Sequence, residues 1–126
     1  MSNQSESPAA ALADERTAPI SVAIIEDHRE FRDYLTALIS GTEGFECVGS
    51  FRSVEDALPK VNAHVPDVIL LDIGLPGMNG HEVGRQLRAM VETKDSLLIA
   101  QTGWGQDEDR RRSTEAGFDF HFVNSY

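Results

Sequence analysis

The sequence predicts an α/β domain, a five-stranded parallel sheet flanked by helices. Two observations carry that prediction. Five short apolar segments begin near residues 20, 46, 68, 97 and 118, and a stretch with helical spacing follows each of the first four. Strands and helices alternating at this length build parallel sheets, because a parallel connection needs a crossover long enough to hold a helix. A third observation concerns the strand ends: the segments at 20, 68 and 97 run into Glu26-Asp27, Asp72 and Thr102. In a parallel sheet these polar groups gather at one rim, where open α/β folds take up ligands.

Each element follows from its own residues. Residues 1–19 are rich in Ser, Ala, Asn, Gln and acids, contain Pro8 and Pro19, and hold few large apolar side chains. Such a segment cannot offset its ordering entropy, so it is expected to be a disordered leader to a domain spanning 20–126. Residues 20–25, ISVAII, form the first strand. Phe31, Tyr34, Leu35, Leu38 and Ile39 recur at helical spacing and Gly41 and Gly44 stop the pattern, giving a helix over 28–40. Residues 46–51 read as a weaker edge strand containing Cys47, the single cysteine, which is expected to act as a small buried hydrophobe. Ser53 with Asp56 resembles a capping box opening a helix with Val54, Ala57, Leu58 and Val61 on its apolar face. Pro59 is expected to bend or shorten that helix, since it lacks an N–H.

The run VILLDIGLPGMNG, residues 68–80, is the centre of the pattern. An unbroken apolar tetrad marks a strand buried on both faces, and the glycines, proline and asparagine after Asp72 force a tight turn beside its carboxylate. Val83, Leu87, Met90 and Val91 then give a helix over 80–91, and residues 97–100 a strand ending in Gln101-Thr102-Gly103. Residues 106–116 carry acids early and arginines late, which suits the helix dipole, but almost no apolar stripe; loose packing is expected. Phe118, Phe120 and Phe122 alternate with Asp119 and His121, a final strand.

The chain has 126 residues and a formal charge of -10. That field repels nucleic acid and anionic membrane, so neither is an expected partner, while an acidic pocket that takes up a cation fits it. One cysteine forbids an intrachain disulfide, which suits a reducing cytoplasm. The four histidines show no metal-ligand spacing. Carboxylates gathered at a rim repel one another unless a cation intervenes, and an all-oxygen set open to water suits Mg²⁺. Asp72 could then act as a nucleophile toward a phosphoryl group, since carboxylates form such mixed anhydrides.

Glu26-Asp27, Asp72 in LLDIGLPGMNG and Thr102-Gly103, in this order and spacing, resemble the receiver domain of two-component response regulators over residues 20–123. The resemblance implies a flavodoxin-like doubly wound sheet of order 2-1-3-4-5. It implies that Asp72 accepts a phosphoryl group from a sensor histidine kinase or phosphotransfer protein. Asp27 and Asp72 would bind Mg²⁺ directly, Glu26 through water and Gly74 through its carbonyl. Thr102 and His121 would form the switch pair, and Gly103 and Trp104 would govern access to the phosphate. Two departures stand out. Asn124 and Ser125 replace the family's lysine and proline after the last strand, removing a charge-assisted bond worth roughly 1.5 to 3 kcal/mol. The family's fifth helix is also missing, so apolar side chains of the first and last strands are expected to be exposed, or covered by a homodimer or another partner. These departures leave open a second reading, a degenerate receiver that binds proteins without phosphorylation. A phosphatase using Asp72 would want a second acid where Gly74 stands.

Overall fold

The structure is a computed structural model that describes residues 18–73, 79–102 and 107–123, the side chains of 107–110 excepted. The expected leader therefore lies outside the described residues except for its last two. Five parallel strands form one sheet in the order β2-β1-β3-β4-β5: β1 (Ile20–Ile25), β2 (Phe45–Phe51), β3 (Val68–Asp72), β4 (Leu97–Thr102) and β5 (Phe120–Val123). Four helices connect them among the described residues: α1 (Arg29–Ser40), α2 (Val54–Ala63), α3 (Gly80–Ala89) and α4 (Asp107–Glu115). The order is the one the resemblance implies, and the fifth helix is absent from the described residues.

The runs predicted as doubly buried are so. Ile24, Ile25, Ile69, Leu71 and Leu98 have almost no exposed surface. Alternation divides them between two cores. On one face Val22, Ile24 and Leu70 pack against Phe31 and Leu35 of α1, with Ile39, Cys47, Val68 and Ile99 around them. On the other, Ile25, Ile69, Leu71, Leu98 and Ala100 meet Val54 and Ala57 of α2, Val83 and Leu87 of α3, and Ala116 and Phe118. Helices thus cover both faces, as a doubly wound sheet requires.

Local chemistry sets the helix starts. Ser53 Oγ accepts the Asp56 N–H at 3.2 Å to cap α2, and Asn79 Oδ1 accepts from His81 and Glu82 to cap α3. His28 is the N-cap of α1, its Nδ1 accepting the Phe31 N–H at 3.2 Å. Arg88 ties α3 to the strands: its guanidinium donates to the carbonyls of Lys94, Ser96 and Gly117 and pairs with Asp119 at 2.7 Å.

Four expectations need correction, the last of them in part. Pro59 does not shorten α2, which continues four residues past it to Ala63; buried Val54, Ala57 and Val61 hold both sides of the proline against the core. The last strand starts at Phe120 rather than Phe118, because Gly117 adopts φ 99° and turns Phe118 into the core. α4 is anchored through small residues: Ser113 is 1% exposed with its Oγ 3.3 Å from Nε2 of the buried His81 on α3. The expected apolar exposure holds for Ile20, Phe120 and Phe122, but not for residues 22–25 or Phe118, which are buried.

Candidate functional site

The register brings the polar strand ends together. Ile25 lies opposite Leu71, Asp72 opposite Gln101, and Thr102 opposite Val123, so β1, β3, β4 and β5 end at one rim. Glu26 follows β1 directly and is 4% exposed, whereas Asp27 is exposed and Asp72 half-buried. The backbone is held at both acidic ends: the Glu26 N–H donates to the Phe51 carbonyl at 2.9 Å, and the Ile73 N–H to the Gln101 carbonyl at 3.0 Å.

Glu26 is the electrostatic centre of the rim. Its Oε1 accepts from Gln101 Nε2 at 2.6 Å and its Oε2 from the His28 N–H at 3.0 Å. Arg32 donates to the main-chain carbonyls of Glu26 and Asp27, at 2.9 and 3.3 Å. Burial pushes the Glu26 carboxyl up to about 7, and the charges of Asp72 and Asp27 and a side-chain hydrogen bond with Asp72 push the same way; the His28 N–H opposes them.

That shift has a measurable consequence for stability. A folded-state pKa raised above the unfolded value of 4.5 means the folded chain binds this proton more tightly. The resulting stabilisation is complete below the unfolded pKa and lost as pH rises through about 7. Glu26→Gln cannot ionise and escapes the loss. Urea denaturation should show the variant gaining about 2 kcal/mol on wild type between about pH 5.5 and about pH 8.5. A constant difference over that range would contradict the assignment.

Thr102 is buried at the end of β4, and His121 is half-buried opposite Ala100 on β5. Alternation places Thr102, Ala100 and His121 on one face of the sheet, and Gln101 on the other with Ile99 and Asp72. Gly74, Gly103, Trp104 and Asn124 lie outside the described residues. The residue that sequence reasoning passed over is Gln101. It reads as a polar strand end, but its period on β4 puts it on the buried face beside Glu26, and this could have identified it.

The oxygen donors can be weighed against a divalent cation. Among the described residues no three His, Cys, Asp or Glu side chains form a ready ligand group. Glu26 and Asp72 do form a directly interacting pair with Asp27 close enough to raise the Glu26 carboxyl. An ion that keeps several waters and takes one or two carboxylates fits this set, and it would relieve the repulsion from Asp72 and Asp27 that adds to burial in raising the Glu26 carboxyl. Mg²⁺ is such an ion. No described helix is long and apolar enough to cross a membrane.

Comparison with known proteins adds to this geometry. A family model described as the response regulator receiver domain matches residues 22–123. Response regulator GacA of Pseudomonas viridiflava is 32% identical over 98 residues, 78% of this chain and 45% of that protein. A protein-glutamate methylesterase/protein-glutamine glutaminase of Burkholderia thailandensis is 32% identical over 88 residues, 70% of this chain and 25% of that protein. The chain therefore spans less than half the length of these relatives. Among solved structures, the signal receiver domain of a DNA binding response regulator from Colwellia psychrerythraea superposes with TM-score 0.77 at 27% identity, covering 84% of this chain and 86% of that one. Vibrio cholerae chemotaxis protein CheY4 shares the fold, with TM-score 0.76 at 21% identity and coverage of 86% and 89%.

Proposed function

The chain belongs to the response regulator receiver family, and from that premise we propose that it is a phosphoacceptor module of two-component signalling, with Asp72 as the acceptor. The observation that carries the proposal is the pairing of half-buried Asp72 with buried Glu26 at the rim where four parallel strands end. In the transfer an Asp72 carboxylate oxygen bonds to the phosphorus of a phosphohistidine on a histidine kinase or phosphotransfer protein. The phosphorus–nitrogen bond breaks, its electron pair returns to the imidazole, and an acyl phosphate remains on Asp72. Glu26, Asp27, Asp72 and the Gly74 carbonyl would hold Mg²⁺, which neutralises charge on the phosphoryl oxygens when bound. The backbone bonds at Glu26 and Ile73 fix the donor positions in advance, so little reorganisation is needed at the moment of transfer. Thr102 and His121, close on adjacent strands and on one sheet face, are the proposed switch pair, with Gly103 and Trp104 controlling access. The cytoplasm, where such kinases present their phosphohistidine, is the proposed setting.

The test is direct. Incubated with Mg²⁺ and a small phosphodonor, the protein should gain one phosphoryl group by intact mass, and chelation of the metal should prevent it. No adduct under conditions that label an ordinary receiver would defeat the proposal.

A second reading has its own support. Asn124 brings no charge to the place of the family's lysine, and Phe120 and Phe122 are 60% and 40% exposed on a sheet face that a second copy or another protein could cover. A degenerate receiver of this kind would bind its partner equally well as wild type and as Asp72→Asn.

A further inference from the structure

Gln101 is 1% exposed at the end of β4, opposite Asp72 in the parallel register. Its Nε2 donates to Glu26 Oε1 at 2.6 Å, while its own Oε1 is buried without a hydrogen-bond partner among the described residues. A buried amide with one end unsatisfied is a costly way to fill space, and an apolar side chain of the same length would fill it without that cost. The amide therefore acts through the bond it does make. That bond is short and ends on a carboxylate gripped from its other oxygen by the His28 N–H and linked to Asp72. The Arg32 guanidinium donates to the main-chain carbonyls of Glu26 and Asp27, while the neutral Gln101 amide serves the carboxylate itself.

We infer that Gln101 is a positioning residue of the acidic site, its amide fixing the Glu26 carboxylate so that Glu26 and Asp72 present a preset pair of oxygen donors to a divalent cation. The inference rests on the phosphoacceptor reading of that site. Outer partners that orient metal-binding side chains commonly change metal affinity tenfold or more when removed. Gln101 sits where such a partner must be, on the strand next to the acceptor and facing the carboxylate beside it.

Isothermal titration of the full chain with Mg²⁺ tests this. Gln101→Met keeps the length and removes the donor, and should weaken Mg²⁺ binding about tenfold. Gln101→Asn, one methylene short of Glu26, should lose a similar factor without adding an apolar group. The diagnostic comparison is in a Glu26→Ala background, where Gln101→Met should change the affinity less than about twofold, because the carboxylate it positions is gone. A purely structural Gln101 would give the same loss with or without Glu26, and that result overturns the inference, as does wild-type affinity in both single variants. Wild-type protein that takes up no Mg²⁺ overturns the reading of the acidic site as a whole. Tight wild-type binding matched by Gln101→Met overturns the role of Gln101 alone.

Discussion

Asp72→Ala protein should carry no phosphoryl adduct under conditions that label wild type fully, and it should at the same time be more stable at about pH 8.5. The two effects have one origin. Asp72 is the carboxylate placed at the end of the central strand, half-buried and beside the backbone bond from Ile73 to Gln101. Removing it removes the nucleophile, and neither neighbouring acid replaces it: Glu26 is buried and protonated up to about pH 7, and Asp27 is exposed. The same substitution takes away the charge and hydrogen bond with which Asp72 raises the Glu26 carboxyl. Glu26 then ionises more readily in the folded state, and part of the stability otherwise lost at alkaline pH is recovered. Intact mass reports the first effect and urea denaturation the second. An adduct that persists in Asp72→Ala would move the acceptor elsewhere, and a variant less stable than wild type at alkaline pH would show that Asp72 serves the fold rather than straining it.

The largest purely structural effect is expected at Gly84. A Cβ built there would stand 2.3 Å from Cε2 and 2.7 Å from Cζ of Phe118, inside any tolerable contact. Phe118 cannot withdraw, since it is 6% exposed and packed in the core with Val83, Leu87, Leu98 and Ala116. Gly84→Val should therefore cost about 3 kcal/mol, lowering the melting temperature by about 15 °C in a domain of this size. Gly84→Ala should cost less, because alanine favours the helix over glycine by up to about 1 kcal/mol. Adding Phe118→Leu to Gly84→Ala should recover part of the loss. Thermal denaturation of the three variants checks the set; a Gly84→Val protein within about 0.5 kcal/mol of wild type would disprove the close contact.

Which parts of the structure were legible in the sequence follows from where burial is symmetric. β1, β3 and β4 are covered on both faces, so their apolar runs alone located them and the acids at their ends. β2 is an edge strand with a register shift between Val22 and Ala23 of its partner, which leaves Val48 exposed, and no local pattern announces such a shift. The alternation of Phe118, Phe120 and Phe122 looked like one strand because a period of two cannot reveal that Gly117 turns the first phenylalanine into the core, into the space Gly84 leaves. The missing N–H of Pro59 predicts a shortened helix, but tertiary contacts from Val54, Ala57 and Val61 outweigh that local penalty. The candidate site divides in the same way. Glu26, Asp27, Asp72 and Thr102 were readable as polar residues closing apolar runs. Gln101 is legible only in part: the period of β4 sets it on the face of Ile99, but its bond to Glu26 depends on which strands lie beside it.

The uneven cover of the sheet sets where the molecule yields first. β1 and β3 are inner strands packed between α1 on one side and α2 and α3 on the other, whereas β5 is four residues long, is paired with β4 alone among the described residues, and has Phe120 and Phe122 open to solvent. Local opening should therefore start at β5, with amides of 120–123 exchanging with solvent well before those of Ile24 and Leu70. The boundary between the slow and fast parts runs through the candidate site. Glu26 and Asp72 stand on the part that stays closed, and His121 on the part that opens. Chemistry at Asp72 can thus keep a fixed geometry while the strand that would register it remains soft.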